Sequence, residues 1–197
     1  MIFDIQLPPE EVQRCRMFAQ ESAKTQREHR SGGTKERSYG EIFGDTFRGK
    51  IGECASKRFL EQNPLNVPGI ELDFDIYPRG EWDDYDFTIY DKKFSIKSVK
   101  HFSSWLLLES KDIERGDVYD YYVLAAVNGR EDGAGILGFA SKEDVLDGTN
   151  TLKLKKGNLI PGTRTVLDAD NHALHRSNLK NSEEAWIQLI EKLKKEA

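Results

Sequence analysis

Residues 81–100 read EWDDYDFTIYDKKFSIKSVK, and their parsing decides the fold. Phe87 and Ile89, then Phe94, Ile96 and Val99, recur at the spacing of two short strands, with Asp91-Lys92-Lys93 as the polar turn between them. The pattern predicts a β-hairpin. Side chains on a strand alternate faces, so Ser95 and Lys97 share one face while Phe94 and Ile96 take the other, and Asp84, Asp86 and Thr88 share a face of the preceding strand. A carboxylate and a lysine then converge at one end of a buried hairpin.

That pairing has a definite chemical use. A hard divalent cation takes oxygen ligands, and a lysine beside it can hold a phosphate oxygen or help to deprotonate a water. With Asp86, eight residues and then Ser95-Ile96-Lys97, the stretch resembles the PD-(D/E)xK nuclease superfamily, which includes many restriction endonucleases. One element departs from that pattern: the residue two before the lysine is usually acidic, and here it is Ser95. Some restriction endonucleases with a Ser-x-Lys arrangement recruit a glutamate from elsewhere. Two glutamates qualify. Glu53 lies in the helical stretch GKIGECASKRFLEQ, where the superfamily often places a metal-binding glutamate; Glu109 follows Trp105-Leu-Leu-Leu on the next predicted strand. Glu53 is the preferred one. Asp86 is preferred to Asp84, the reserve on the same face, because Phe87-Thr88-Ile89 continues directly as a strand.

The resemblance spans about Gly49 to Val127 and implies a restriction endonuclease-like α/β core, a central mixed sheet flanked by helices. It implies that Asp86 and Glu53 hold Mg2+, with Mn2+ as an alternative, joined by the backbone carbonyl of Ile96. Lys97 would position or activate the attacking water and steady charge on the phosphate, and Ser95 would orient a metal-bound water. It also turns the basic loop around Ser31-Gly32-Gly33, which on residues alone reads as an ordinary connection, into a DNA-contacting one, with Arg30, Arg37 and Lys100 as DNA-binding residues. The implied activity is that of a metal-dependent endodeoxyribonuclease of the type II restriction kind, acting as a homodimer on DNA. The alternatives are a repair or recombination nuclease for branched or single-stranded DNA, and a DNA-binding protein without catalysis, for which Ser95 is the argument.

Outward from the hairpin, Pro8-Pro9-Glu10-Glu11 opens a helix expected to last to about His29, with Val12, Cys15, Ala19 and Ala23 at helical spacing. Tyr39 to Lys50 is ambiguous because glycines interrupt it, whereas Ile51, Ala55, Phe59 and Leu60 give the next helix an apolar face. Ile70 to Tyr77 alternates as a strand. Downstream, strands are expected at Ser104 to Glu109, Tyr121 to Val127 and Gly135 to Ala140, the second so apolar that it belongs centrally in the sheet. Thr151 to Asn181 reads as a long basic loop or small subdomain suited to nucleic acid, and Ser182 opens a final amphipathic helix. His101 reads as a bystander, and His172 and His175 with Asp168 or Asp170 make a weak metal pattern.

A chain of 197 residues suits one domain, here 1–197, with a core at about 49–140, an N-terminal helix at 9–29 and a C-terminal loop and helix at 151–197. A hydrophobic fraction of 38% and a charged fraction of 32% fit a globular protein, and no apolar run approaches the ~20 residues of a membrane span. The start MIFDIQLPPEE lacks the basic and apolar regions of a signal peptide, which predicts a cytoplasmic location. Cys15 and Cys54 read as buried free thiols. The net charge of −5 is unusual for a DNA-binding protein, but the eight acids between Glu71 and Asp91 are what a cation-concentrating site needs.

Overall fold

A computed structural model describes residues 2–25, 36–78, 85–100, 103–114 and 119–197. In chain order the elements are β1 (Phe3–Gln6), α1 (Pro9–Thr25), α2 (Tyr39–Glu61), β2 (Phe87–Ile89), β3 (Lys92–Lys100), β4 (Trp105–Glu109), α3 (Ser110–Glu114), β5 (Tyr121–Val127), β6 (Gly133–Ser141), α4 (Lys142–Leu146), β7 (Thr151–Leu154), β8 (Asn171–His175) and α5 (Glu183–Glu196). Five strands form one mixed sheet in the order β1-β6-β5-β3-β2, in which β3 and β5 run parallel and the other neighbours antiparallel. A smaller antiparallel sheet, β4-β8-β7, forms a separate ladder.

The hairpin forms as the alternation predicts, with Phe87 opposite Phe94 and Ile89 opposite Lys92. Its turn sits one residue earlier than expected: Tyr90 and Asp91 both adopt positive φ, 46° and 65°, and Lys92 and Lys93 already belong to β3. Two left-handed residues make the tight turn whose twist matches the strands it joins. β5 is buried along its whole length, flanked by β3 and β6, as its continuous apolar run requires.

α2 resolves the ambiguous glycine-rich stretch as one helix of 23 residues. Ser38 and Glu41 close a capping box at its start, and the chain leaves the helix ahead of Pro64. The glycines have a packing reason. A Cβ on Gly52 would lie 1.9 Å from Ser98 Oγ and 3.3 Å from Ala125 Cβ, so α2 rests almost backbone to backbone on β3 and β5. Ser98 Oγ donates to the Gly49 carbonyl at 3.3 Å. Gly52→Val is therefore expected to cost about 1–3 kcal/mol through overpacking, measured as a lower urea midpoint. An unchanged midpoint would mean that α2 does not approach the sheet so closely.

Two apolar clusters follow from the alternation of β3 and β5. On one face of the sheet Phe94, Ile96, Tyr121, Val123 and Ala125 meet Cys15 and Ala19 of α1, Phe47, Ile51 and Ala55 of α2 and Trp186, Leu189 and Leu193 of α5. On the other face Tyr122, Leu124 and Ala126 meet Leu106, Leu108 and Leu174 of the small sheet, with Ile113 and Val145. Arg58 clasps Glu11 through two hydrogen bonds of 2.9 and 2.6 Å, fixing α1 against α2.

Three sequence expectations change here. Ile70 to Tyr77 is not a strand: the Asp73 carboxylate accepts from the Asp75 amide at 2.7 Å and from the Tyr77 hydroxyl at 2.5 Å, a local bonding pattern that replaces a ladder, while Phe74 turns to the Phe18 ring. β4 does not extend the main sheet but pairs with β8, out of the polar stretch 151–181. The N-terminal residues, read only for the absence of a signal peptide, supply the edge strand β1. The described part of the first helix ends at Thr25, and residues 26–29 lie outside the described residues. Among the described residues no helix is long and apolar enough to cross a membrane.

Candidate active site

Asp86 stands immediately before β2, where the hairpin opens. Its amide donates to the Phe94 carbonyl at 3.2 Å and its Oδ2 accepts the Ile96 N–H at 2.5 Å, so the carboxylate closes the end of the β3 ladder that β2 is too short to reach. Within a strand the N–H and C=O of one residue face the same neighbour, which turns the Ile96 carbonyl to this edge as well.

Ser95 follows Phe94, the residue whose carbonyl the Asp86 amide reaches. It is fully buried, and its Oγ lacks a hydrogen-bond partner of good geometry among the described residues. Tyr119, just before β5, is a polar neighbour of it. Burial drives the Tyr119 phenol well above its ordinary value; the Asp86 and Asp112 carboxylates add to this, and the Ser95 hydroxyl opposes it. Half-buried Lys97 places its ammonium 5.7 Å from the Tyr119 ring centroid, a cation–π arrangement. Ser95, Lys97 and Tyr119 thus form one cluster on the sheet face turned away from α2, since Ser98, on the other face, touches α2, and Asp86 stands at the edge beside it.

Glu53 approaches from the opposite side. It sits buried on α2 with Oε2 2.5 Å from Lys50 Nζ one helical turn earlier, and both side chains are 11% exposed. The Lys50 ammonium also lies 4.9 Å from the Phe18 ring centroid and 5.2 Å from that of Phe74. Burial pulls the Lys50 ammonium down, but Glu53, with Asp86 and Asp73 behind it, outweighs burial and holds it above the usual lysine value. Asp86 is therefore the group common to both halves: at the open edge of β3 its charge reaches Lys50 on the α2 side and Tyr119 on the other.

The remaining expected residues are distributed as follows. Glu109 ends β4 in the small sheet, opposite Asn171; burial raises its carboxyl, countered by Lys111 at 3.1 Å, with Asp112 and Asp168 raising it further. Arg37 is turned inward at the start of α2, 3.5 Å from Asp45, which also pairs with Arg48 at 2.9 Å. Lys100 is exposed at the end of β3, and Arg30, His101 and Asp84 lie outside the described residues. His172 and His175 stand three apart on β8, on opposite faces, each bonded to a serine: His172 Nδ1 with Ser110 Oγ at 3.2 Å and His175 Nδ1 with Ser177 Oγ at 2.8 Å. Asp170 is occupied by Lys155 at 2.7 Å and by the Lys156 amide. Lys50 and Tyr119 were missed from sequence; the signal for Lys50 was its i, i+3 spacing to Glu53 on a helix.

Among the described residues there is no group of three His, Cys, Asp or Glu side chains placed to hold a metal ion. The donors fit a hard divalent cation in kind, with Asp86, Glu53 and the Ile96 carbonyl all oxygen ligands and both carboxylates acting on Lys50. Reaching that set requires Glu53 to exchange its lysine partner. No family model, curated protein or solved structure matches the chain.

Proposed function

We propose that the chain is a metal-dependent endodeoxyribonuclease that hydrolyses DNA phosphodiester bonds, of the type II restriction kind, using Mg2+ and acting on DNA as a homodimer. The observation that carries this reading is Asp86 at the open end of the hairpin, with the carbonyl of Ile96 turned to the same edge and Lys97 two residues away from Ser95 on the adjoining face. When bound there, the divalent cation supplies Lewis-acid polarisation of the phosphate and a more acidic water. Asp86 and Glu53 are the residues that would hold it.

The side chains have separable tasks. Lys97, half-buried against Tyr119, keeps a cation where negative charge grows on the phosphate, and partial burial strengthens that interaction relative to water. Ser95, with a buried hydroxyl that lacks a well-formed partner, is free to orient a water on the same face. Tyr119, kept protonated by burial and by Asp86, remains a hydroxyl donor beside them at neutral pH. Exposed Lys100 extends the positive end of β3 toward a phosphate backbone.

Incubation of the purified chain with plasmid and phage DNA, with Mg2+, with Mn2+ and with chelator, is the test. Discrete metal-dependent fragments are expected. A metal-dependent smear, or cutting restricted to branched DNA, moves the assignment to a repair nuclease. DNA binding without cleavage under any metal replaces it by a binding protein.

A further inference from the structure

Lys50 is the one group of the site whose chemistry the nuclease reading leaves unused. It is a buried lysine in direct contact with the glutamate assigned to the metal, and it lies on the helix that rests on β3. We propose that Lys50 is a built-in counter-cation: its ammonium holds Glu53 while the site is free of metal and yields Glu53 when a divalent cation is taken up, so that metal loading is a competition between the two. The inference rests on the nuclease reading of the site.

The geometry gives three reasons. First, Lys50 Nζ lies 2.5 Å from Glu53 Oε2 with both side chains 11% exposed, so Glu53 is not a solvated carboxylate awaiting a ligand but one half of a buried pair. A buried carboxylate stripped of its cation is costly, which is why a second cation must replace the first. Second, the ammonium has another place to rest. The rings of Phe18 on α1 and Phe74 on the 70–77 segment, at 4.9 and 5.2 Å, offer π faces to a lysine that has let go of Glu53, and Asp73 lies on the same side. Third, the charges favour the exchange. Glu53, Asp86 and Asp73 all act on the single positive charge of Lys50, and a divalent ion, with two charges, would answer more of that negative charge than one ammonium does.

This gives Lys50 a positioning role, and a metal-binding readout tests it without reference to cleavage. Full-length protein is titrated with MnCl2 in a calorimeter, with DNA absent. Lys50→Met is expected to bind Mn2+ at least about tenfold more tightly than wild type, because Glu53 is released from its competitor. Lys50→Arg, which grips a carboxylate with two N–H groups, is expected to bind it several-fold more weakly. Adding Glu53→Gln to Lys50→Met is expected to cancel the gain.

Equal or weaker binding by Lys50→Met overturns the proposal, as does a gain that survives Glu53→Gln. Should Lys50→Met fail to fold, Lys50→Arg decides alone, and wild-type affinity in that variant overturns it. Absence of Mn2+ binding in every protein, wild type included, removes the metal site itself and with it the nuclease reading, an outcome distinct from unchanged binding between variants.

Discussion

Lys97→Ala is expected to lower DNA cleavage by about 10²–10³-fold or more, the scale on which losing one preorganised charge-stabilising group acts. The variant should melt within a degree or two of wild type, because half-buried Lys97 fills no core position and lies beside the Tyr119 ring rather than in a buried ion pair. Gel-resolved cleavage rates and DNA affinity, measured on the same preparation, separate the two effects. Normal cutting by this variant removes the mechanism. Asp86 allows a sharper division, because it has two tasks. Asp86→Asn keeps an oxygen to accept the Ile96 N–H but loses the charge, so cleavage should fall as far while the fold persists. Asp86→Ala loses both, and the unsatisfied Ile96 amide should cost a further ~1–3 kcal/mol of stability. If Asn and Ala destabilise equally, the hydrogen bond to β3 is not what holds the edge.

The second large effect concerns the fold. Trp186 of α5 is fully buried, with ring centroids 5.0 Å from Phe59 of α2 and 4.5 Å from Phe139 of β6. Trp186→Ala is expected to cost about 3–5 kcal/mol, a large share of a typical domain's stability, read as a drop in the urea midpoint. The Trp186 indole N–H is buried without a hydrogen-bond partner among the described residues, so Trp186→Phe gives up packing volume but no hydrogen bond. It should cost clearly less than the alanine variant. Equal losses in the two would mean that volume is not what the ring contributes.

Elements whose signal is local were legible in the sequence. The hairpin followed from two-residue alternation, β5 from its unbroken apolar run, and α5 from Ser182 capping a helix with Trp186, Leu189 and Leu193 on one face. Legibility failed where tertiary contact overrides local pattern. Gly44, Gly49 and Gly52 weaken helix propensity, yet Gly52 is where the sheet comes closest, and that cannot be read from α2 alone. Ile70 to Tyr77 has the alternation of a strand, but the Asp73 side chain bonds its own backbone first. Asp86, Ser95, Lys97 and Glu53 were named as candidates through the resemblance to a family whose motif they match in type and order. That Glu53 is already held by Lys50, that Tyr119 stands over Ser95 and Lys97, and that β3 separates Glu53 from Lys97 depend on which faces meet. One sequence does not carry that information.

The position of β1 also affects how the protein is made. Phe3 pairs with Ile136 of β6, so the first strand has no partner until more than two-thirds of the 197 residues exist. At synthesis rates of about 5–20 residues per second, an emerging chain keeps that strand single for roughly 6–27 seconds. Loop closure over so long a span places the step among slow, topology-limited folding events. β1 is also short, four residues in which Asp4 and Gln6 alternate with Phe3 and Ile5, and so offers little unpaired edge to other nascent chains during the wait.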